Sequence, residues 1–300
     1  VGVALYYCYR IAAWLSRAFP LRVTYRIAVW LSAFFYAFDH RGRGAVMKNV
    51  EQILAARGQA PTRAEVRRLT RSTFAFFGKY LTDFFRYAEL RSVDVGTVVA
   101  IEHPEFIQQA ATAGRGVIAV SAHFGNWEMA GAVIPALGYK IHTVVLPQRF
   151  EKVNRLFQAQ RARRGFDVSF LGNSAMGLMR ALRRGEFVGL LADRDFSTRN
   201  DPSLFFGKPA QMPRGPAYLA HRMRAAVLPG FVRRREDDSL VLHLYPPIMP
   251  GEAQSEEEIH ARIVAALEDM IGRYPDQWFV FREYWPKATG REGSPAISRG

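Results

Sequence analysis

The sequence predicts an α/β fold: a mostly parallel sheet flanked by helices, behind an N-terminal helical region suited to docking on a membrane. Three observations lead there. From residue 117 onward, short apolar runs alternate with helical stretches of about ten residues, the pattern of βαβ units. Residues 5–38 are instead an almost unbroken run of aromatic and aliphatic residues, punctuated by Arg10, Arg17, Arg22 and Arg26. The composition is 49% hydrophobic over 300 residues, enough for a large packed core.

Taken in order, the N-terminal run divides at Pro20 into two helices. Its longest uncharged stretch, 27–38, has twelve residues, short of the roughly 20 that span a bilayer. No small-residue cleavage site follows it, so it does not read as a signal peptide. Short, arginine-punctuated helices carrying Trp14, Trp30, Tyr6, Tyr7 and Tyr9 fit the headgroup layer. Periodicity then predicts helices over 45–56 and 64–89, and the strand-like run 117–121 opens the alternation. Helices follow over 127–137, 152–164, 175–184, 214–223 and 256–271, the last with acids in its first turn. Strands are predicted over 141–146, 168–171, 187–192, 226–233 and 240–245; the polar turn "REDDS" makes the last two a hairpin. The expected divisions are 1–44 for the docking helices, 45–288 for the main domain and 289–300 for a turn-rich, frayed tail.

Forty-one Lys+Arg against 27 Asp+Glu give a formal net charge of +14. An anionic partner is implied: nucleic acid, a phospholipid surface or a phosphorylated substrate. A nucleic-acid arm would be basic and polar, whereas this one is basic and apolar, and no nucleic-acid-binding signature is present. The reading is an anionic membrane surface and no nucleic acid. Cys8, the single cysteine, excludes a disulfide framework and a cysteine metal cluster, and fits a reducing, cytoplasmic compartment.

The chemistry concentrates in "VSAHFGNWEMAG". His123 stands just past a strand's carboxyl end, where ligands bind in open α/β sheets. Gly125 permits a tight turn, Asn126 is a good N-cap, and Glu128 falls in the first helical turn. On one continuous helix, residues five apart diverge by about 140°. A bend at Gly125 would let Glu128 meet His123, and a carboxylate-braced imidazole is a general base. No nucleophile motif accompanies it, and the spacing is not that of H-E-x-x-H, so no metal is expected. Arg149, Arg161, Arg163 and Arg164 flank the helix at 152–164; Arg149 and Arg164 are the preferred pair for binding phosphate. Asp193, Arg194 and Asp195 follow another strand end, either as a salt-bridged turn or as a wall of a ligand site, where they could hydrogen-bond hydroxyls. Phe205, Phe206 and Gly207 are open to two readings, core or the lining of an apolar groove.

"HFGNWE" resembles the H-x4-D/E motif of membrane acyltransferases. More fully, the chain resembles the lipid A biosynthesis (lauroyl/myristoyl) acyltransferases, including the branch that acylates phosphatidylinositol mannosides. "LLADRDFSTRNDPSLFFGKPAQMPRGPAYLA", 190–220, resembles that family's D-x-D, F-F-G and proline-bounded helix; "RYPDQWFVFREYW", 273–285, resembles its closing block. The likeness covers roughly residues 45–286, and "ADRDFS" and "MPRGPA" lie nearer the mannoside branch. It implies a glycerolipid-acyltransferase-like fold and makes 45–288 an acyltransferase domain. It implies acyl transfer from a thioester, acyl-CoA or acyl carrier protein, to a hydroxyl of a glycolipid. The acceptor would be of the phosphatidylinositol mannoside or lipid A precursor type. The protein would sit peripherally or monotopically on the cytoplasmic face of the plasma (inner) membrane and need no cofactor beyond the donor. His123 takes the base role and Glu128 the orienting role; Asp195 and Asp201 are both candidates for a further acid of the relay. The rival readings are an acyl-thioester or lipid hydrolase and a non-enzymatic lipid-binding membrane protein.

Overall fold

A computed structural model describes residues 2–58, 60–87, 90–145, 150–170, 174–194, 202–253 and 255–285. Four helices come first: α1 (Gly2–Ala18), α2 (Leu21–Phe38), α3 (His40–Ala56) and α4 (Arg63–Arg86). Pro20 stands between α1 and α2. Asp39 closes α2 and at once opens α3, its carboxylate accepting from Gly42 N at 2.8 Å. That cap starts α3 at His40, ahead of the expected position 45, so the expected division between 44 and 45 falls inside a helix.

The alternating part follows as β1 (Val99–Glu102), α5 (Glu105–Ala111), β2 (Val117–Ser121), α6 (Trp127–Ala136), β3 (Ile141–Val145), α7 (Glu151–Arg163), β4 (Phe166–Phe170), α8 (Ser174–Arg183) and β5 (Phe187–Leu191). The chain then forms the small hairpin β6 (Ser203–Phe205) and β7 (Lys208–Ala210), followed by α9 (Gly215–Met223), β8 (Ala226–Arg234), β9 (Leu240–Leu244) and α10 (Glu256–Arg273). The seven-stranded sheet has the order β1-β9-β8-β2-β5-β3-β4. Its pairs are parallel except β8–β9, the expected hairpin. The α/β class and the parallel sheet therefore stand. The β1, α5 and β6–β7 elements were not anticipated, because four- and three-residue strands carry too little alternation to be read.

Side-chain alternation along the strands separates two cores. Ile118, Val120 and Val188 join α8, α9 and α10 on one face of the sheet; Val117, Phe187 and Ile141 join α5 and α6 on the other. Phe205 and Phe206 belong to the first core, packed with Trp278 and Trp285, so they are core residues and do not line a groove.

The N-terminal helices pack in the opposite sense to an ordinary surface helix. On α2 the buried residues are small or polar: Thr24, Tyr25, Ala28 and Ser32. Gly78 of α4 admits this close approach, since a Cβ there would lie 3.0 Å from the Ala28 carbonyl oxygen and closer still to the Ser32 hydroxyl. The large apolar residues face outward; Trp30 is 71% and Phe38 66% exposed, and Trp14 and Ile11 of α1 point out as well. No described helix is long and apolar enough to cross a membrane.

Candidate active site

Strands β2 and β5 are parallel neighbours, with Ser121 opposite Leu191 and Ala192 N donating to Ser121 O at 2.9 Å. Two residues beyond each of those positions stand His123 and Asp193. The shared register therefore brings an imidazole and a carboxylate together at the carboxyl end of the sheet. Asp193 is fully buried. Its Oδ1 lies 2.8 Å from His123 Nδ1, and its Oδ2 accepts from His123 N at 3.0 Å and from Trp278 Nε1 at 2.9 Å. A carboxylate only accepts, so Nδ1 carries the proton and Nε2 keeps the lone pair. The His123 side chain remains 20% exposed, which leaves Nε2 available to a substrate. Burial is the largest influence on Asp193 and pushes its pKa up. The His123 charge and the bonds from His123 and Trp278 outweigh it and hold the carboxyl below its usual range.

The turn after His123 is fixed on both sides. Gly125 has φ of 51°, and a Cβ there would lie 1.9 Å from the Val232 carbonyl oxygen, so no side chain is admitted. Gly125 N donates to Gln277 O at 2.8 Å, Asn126 N to Val232 O at 2.9 Å, and Phe279 N to His123 O at 2.8 Å. Asn126 caps α6, accepting from Met129 N at 3.2 Å. The indole of Trp127 meets the His123 ring edge-on at 5.3 Å and stacks on Tyr80 at 4.2 Å.

The bend at Gly125 is present, but it does not bring Glu128 to His123. Glu128 turns inward from the first turn of α6 and pairs with Arg161, Oε1 to Nη2 at 2.6 Å, with Arg164 3.9 Å from its other oxygen. Burial is the largest influence and pushes its pKa up, but the two arginines and, more weakly, His123 reverse this and leave it lowered. His123 Nδ1 is thus held by Asp193, expected as part of a salt-bridged turn or a ligand-site wall, and not by Glu128, expected to orient it. Arg164 is 1% exposed and donates to Tyr87 O at 2.7 Å, so it is a buried structural cation and not a phosphate ligand. Arg194, beside Asp193, donates to Phe279 O at 3.0 Å. Arg149, Asp195 and Asp201 lie outside the described residues. Trp278, which holds the carboxylate, and Tyr284, whose hydroxyl donates to Asp193 O at 2.8 Å, were missed as individuals. The signal for them was the closing block 273–285, quoted but not resolved into roles.

An apolar cavity of about 130 Å³ opens between the sheet and α6. Ala119, Gly131, Gly189 and Gly230 make room for it, and Trp127, Glu128 and Arg161 stand among its lining. A carboxylate-held imidazole with a free nitrogen can take a proton from a hydroxyl.

The model of the bacterial lipid A biosynthesis acyltransferase family matches residues 2–287. The chain belongs to that family. As an acyltransferase of the glycolipid and lipid A type, it has relatives on both sides. It is 28% identical over 266 residues to the phosphatidylinositol mannoside acyltransferase of Mycobacterium tuberculosis, covering 83% of this chain and 79% of that one. It is 25% identical over 196 residues to the lipid A biosynthesis palmitoleoyltransferase of Escherichia coli, covering 63% and 62%. Among solved structures, the 1-acyl-sn-glycerophosphate acyltransferase PlsC of Thermotoga maritima aligns with a TM-score of 0.40 at 14% identity, covering 85% of this chain and 97% of that chain.

Proposed function

We propose that this acyltransferase works on the cytoplasmic face of the plasma membrane. It moves a fatty acyl group from an acyl thioester, acyl-CoA or acyl carrier protein, to a hydroxyl of a phosphatidylinositol mannoside-type glycolipid. The observation that carries the reading is the 2.8 Å contact between His123 Nδ1 and the buried Asp193 carboxylate. His123 Nε2 takes the acceptor hydroxyl's proton as the alkoxide attacks the thioester carbonyl; the tetrahedral intermediate collapses, the thiolate leaves, and the imidazolium returns the proton to it. Asp193 stabilises the imidazolium and keeps the tautomer. The apolar cavity beside α6, at about 130 Å³, has room for one end of an acyl chain and not for its whole length. The outward aromatic face of α1 and α2, and the net charge of +14, supply the contact with an anionic bilayer where the acceptor resides. The mannoside assignment draws on the name and 83% coverage of the mycobacterial relative.

The test incubates the purified protein with palmitoyl-CoA and vesicles containing a phosphatidylinositol mannoside, following thiol release and acylated lipid together. Acceptor-dependent thiol release matched by acylated glycolipid is expected, with His123→Ala reduced by about 10² to 10⁴. Thiol release matched by free fatty acid regardless of acceptor, or His123→Ala activity within tenfold of wild type with its fold intact, overturns it.

A further inference from the structure

Asn126 does more than cap α6. While its Oδ1 accepts from Met129 N, its Nδ2 donates to Asp83 Oδ2 at 3.1 Å. Asp83 lies on α4, and its other oxygen accepts from the Tyr25 hydroxyl of α2 at 2.6 Å. Arg234, at the end of β8, donates to the same Oδ2 and, at 2.9 Å, to the Tyr25 oxygen. The main chain of Arg234 is held at both ends by the Gln277 side chain, each bond 2.8 Å, and Gln277 O receives Gly125 N. The circuit Asn126–Asp83–Arg234–Gln277–Gly125 therefore closes around the turn that follows His123. Asn126, Asp83, Arg234 and Gln277 are all buried, so water cannot stand in for a lost link.

Capping needs only an acceptor, which serine supplies as well as asparagine. A donor half aimed at a buried acid, with an arginine buried to balance that acid, is more than a cap requires. We infer that Asn126 and Asp83 are positioning residues of the catalytic turn: their bond sets the pitch of the chain three residues beyond His123 and so the aim of its Nε2. The inference rests on His123 being the base. Neither side chain touches substrate; both act through the turn.

The test separates the two halves of Asn126. Asn126→Ser keeps a cap acceptor and loses the reach to Asp83; Asn126→Asp keeps the shape and the cap but sets a carboxylate against Asp83. The double variant Asn126→Asp with Asp83→Asn restores an amide–carboxylate pair in reverse. Both single variants are expected to lose about 10- to 100-fold in kcat per folded molecule, with KM for thioester and glycolipid within about threefold, while the unfolding midpoint falls because a buried link is lost. The double variant is expected to recover at least fivefold over Asn126→Asp. A kcat per folded molecule within twofold of wild type in Asn126→Ser, or a loss in which KM moves with kcat and the double variant recovers nothing, overturns the inference. Should Asn126→Asp not fold, Asn126→Ser decides. His123→Ala, assayed alongside, keeps the two readings apart: inactive His123→Ala with wild-type-like Asn126→Ser sinks this inference alone, while active His123→Ala sinks the base assignment.

Discussion

Two buried carboxylates lie on either side of the turn, and their partners assign them different work. Asp193 accepts three bonds, two from His123 and one from Trp278. Asparagine there can offer an N–H to Nδ1 and so permit the wrong tautomer. Asp193→Asn is therefore expected to lower kcat by about 10² to 10⁴ while the protein stays folded, read by steady-state kinetics beside circular dichroism. Glu128 answers to Arg161 and the buried Arg164. Glu128→Ala leaves Arg161 and Arg164 without their carboxylate, at a cost of about 3–5 kcal/mol in stability. Urea unfolding should register that loss, and turnover per folded molecule should fall far less than in Asp193→Asn; the reverse ranking would return the orienting role to Glu128.

At the scale of elements, the inverted packing of α2 decides what the N-terminal helices do. Thr24, Tyr25, Ala28 and Ser32 face the protein while Trp30, Phe34, Phe35 and Phe38 face out. A soluble helix puts its apolar stripe inward; this one offers it to whatever lies outside. Replacing Trp30 by alanine, or Phe38 by alanine, is expected to weaken partition onto anionic vesicles roughly tenfold each, measured by co-sedimentation, with thermal stability unchanged because neither ring is buried. The pattern of residues 5–38 was enough to read two helices parted at Pro20, as α1 and α2 are. The same was true of the strand–helix alternation, since five-residue apolar strands and helices of ten or more residues carry clear periods. What the chain alone could not disclose was which strands are neighbours. His123 and Asp193 are 70 residues apart, and they meet because β5 inserts beside β2 in matching register. Glu128 was near in sequence and Asp193 only near in space. Arg164 misled for a similar reason: a charged residue at a helix end reads as solvent-facing until the neighbouring helices that bury it are known.

For the molecule as a whole, the buried charges set the response to acid. Asp193 and Glu128 are both held below their ordinary values, burial being overcome by His123 for the first and by Arg161 for the second. Such groups add stability that is complete above the unfolded range of about pH 4 and is lost as pH falls through the lower folded values. Asp83 runs the other way: burial outweighs its partners and raises it, so its contribution declines as pH climbs from about 4 through the raised value. The gap in unfolding midpoint between wild type and Asp193→Asn is therefore expected to be widest at neutral pH and to close below about pH 4, measured by thermal melts across pH 2–7. If the proposed lipid contact is electrostatic, vesicle binding should weaken between low and physiological salt, since salt screens a net charge of +14.

The segment 277–279 is joined to the reactive loop through Gln277 O and Phe279 N, a full 150 residues downstream of it. A ribosome making this chain must therefore release residue 279 before the base can be seated. A nascent chain that has not reached this stitch holds His123 without its far support. A stop codon anywhere before it would leave a fragment that cannot seat its base.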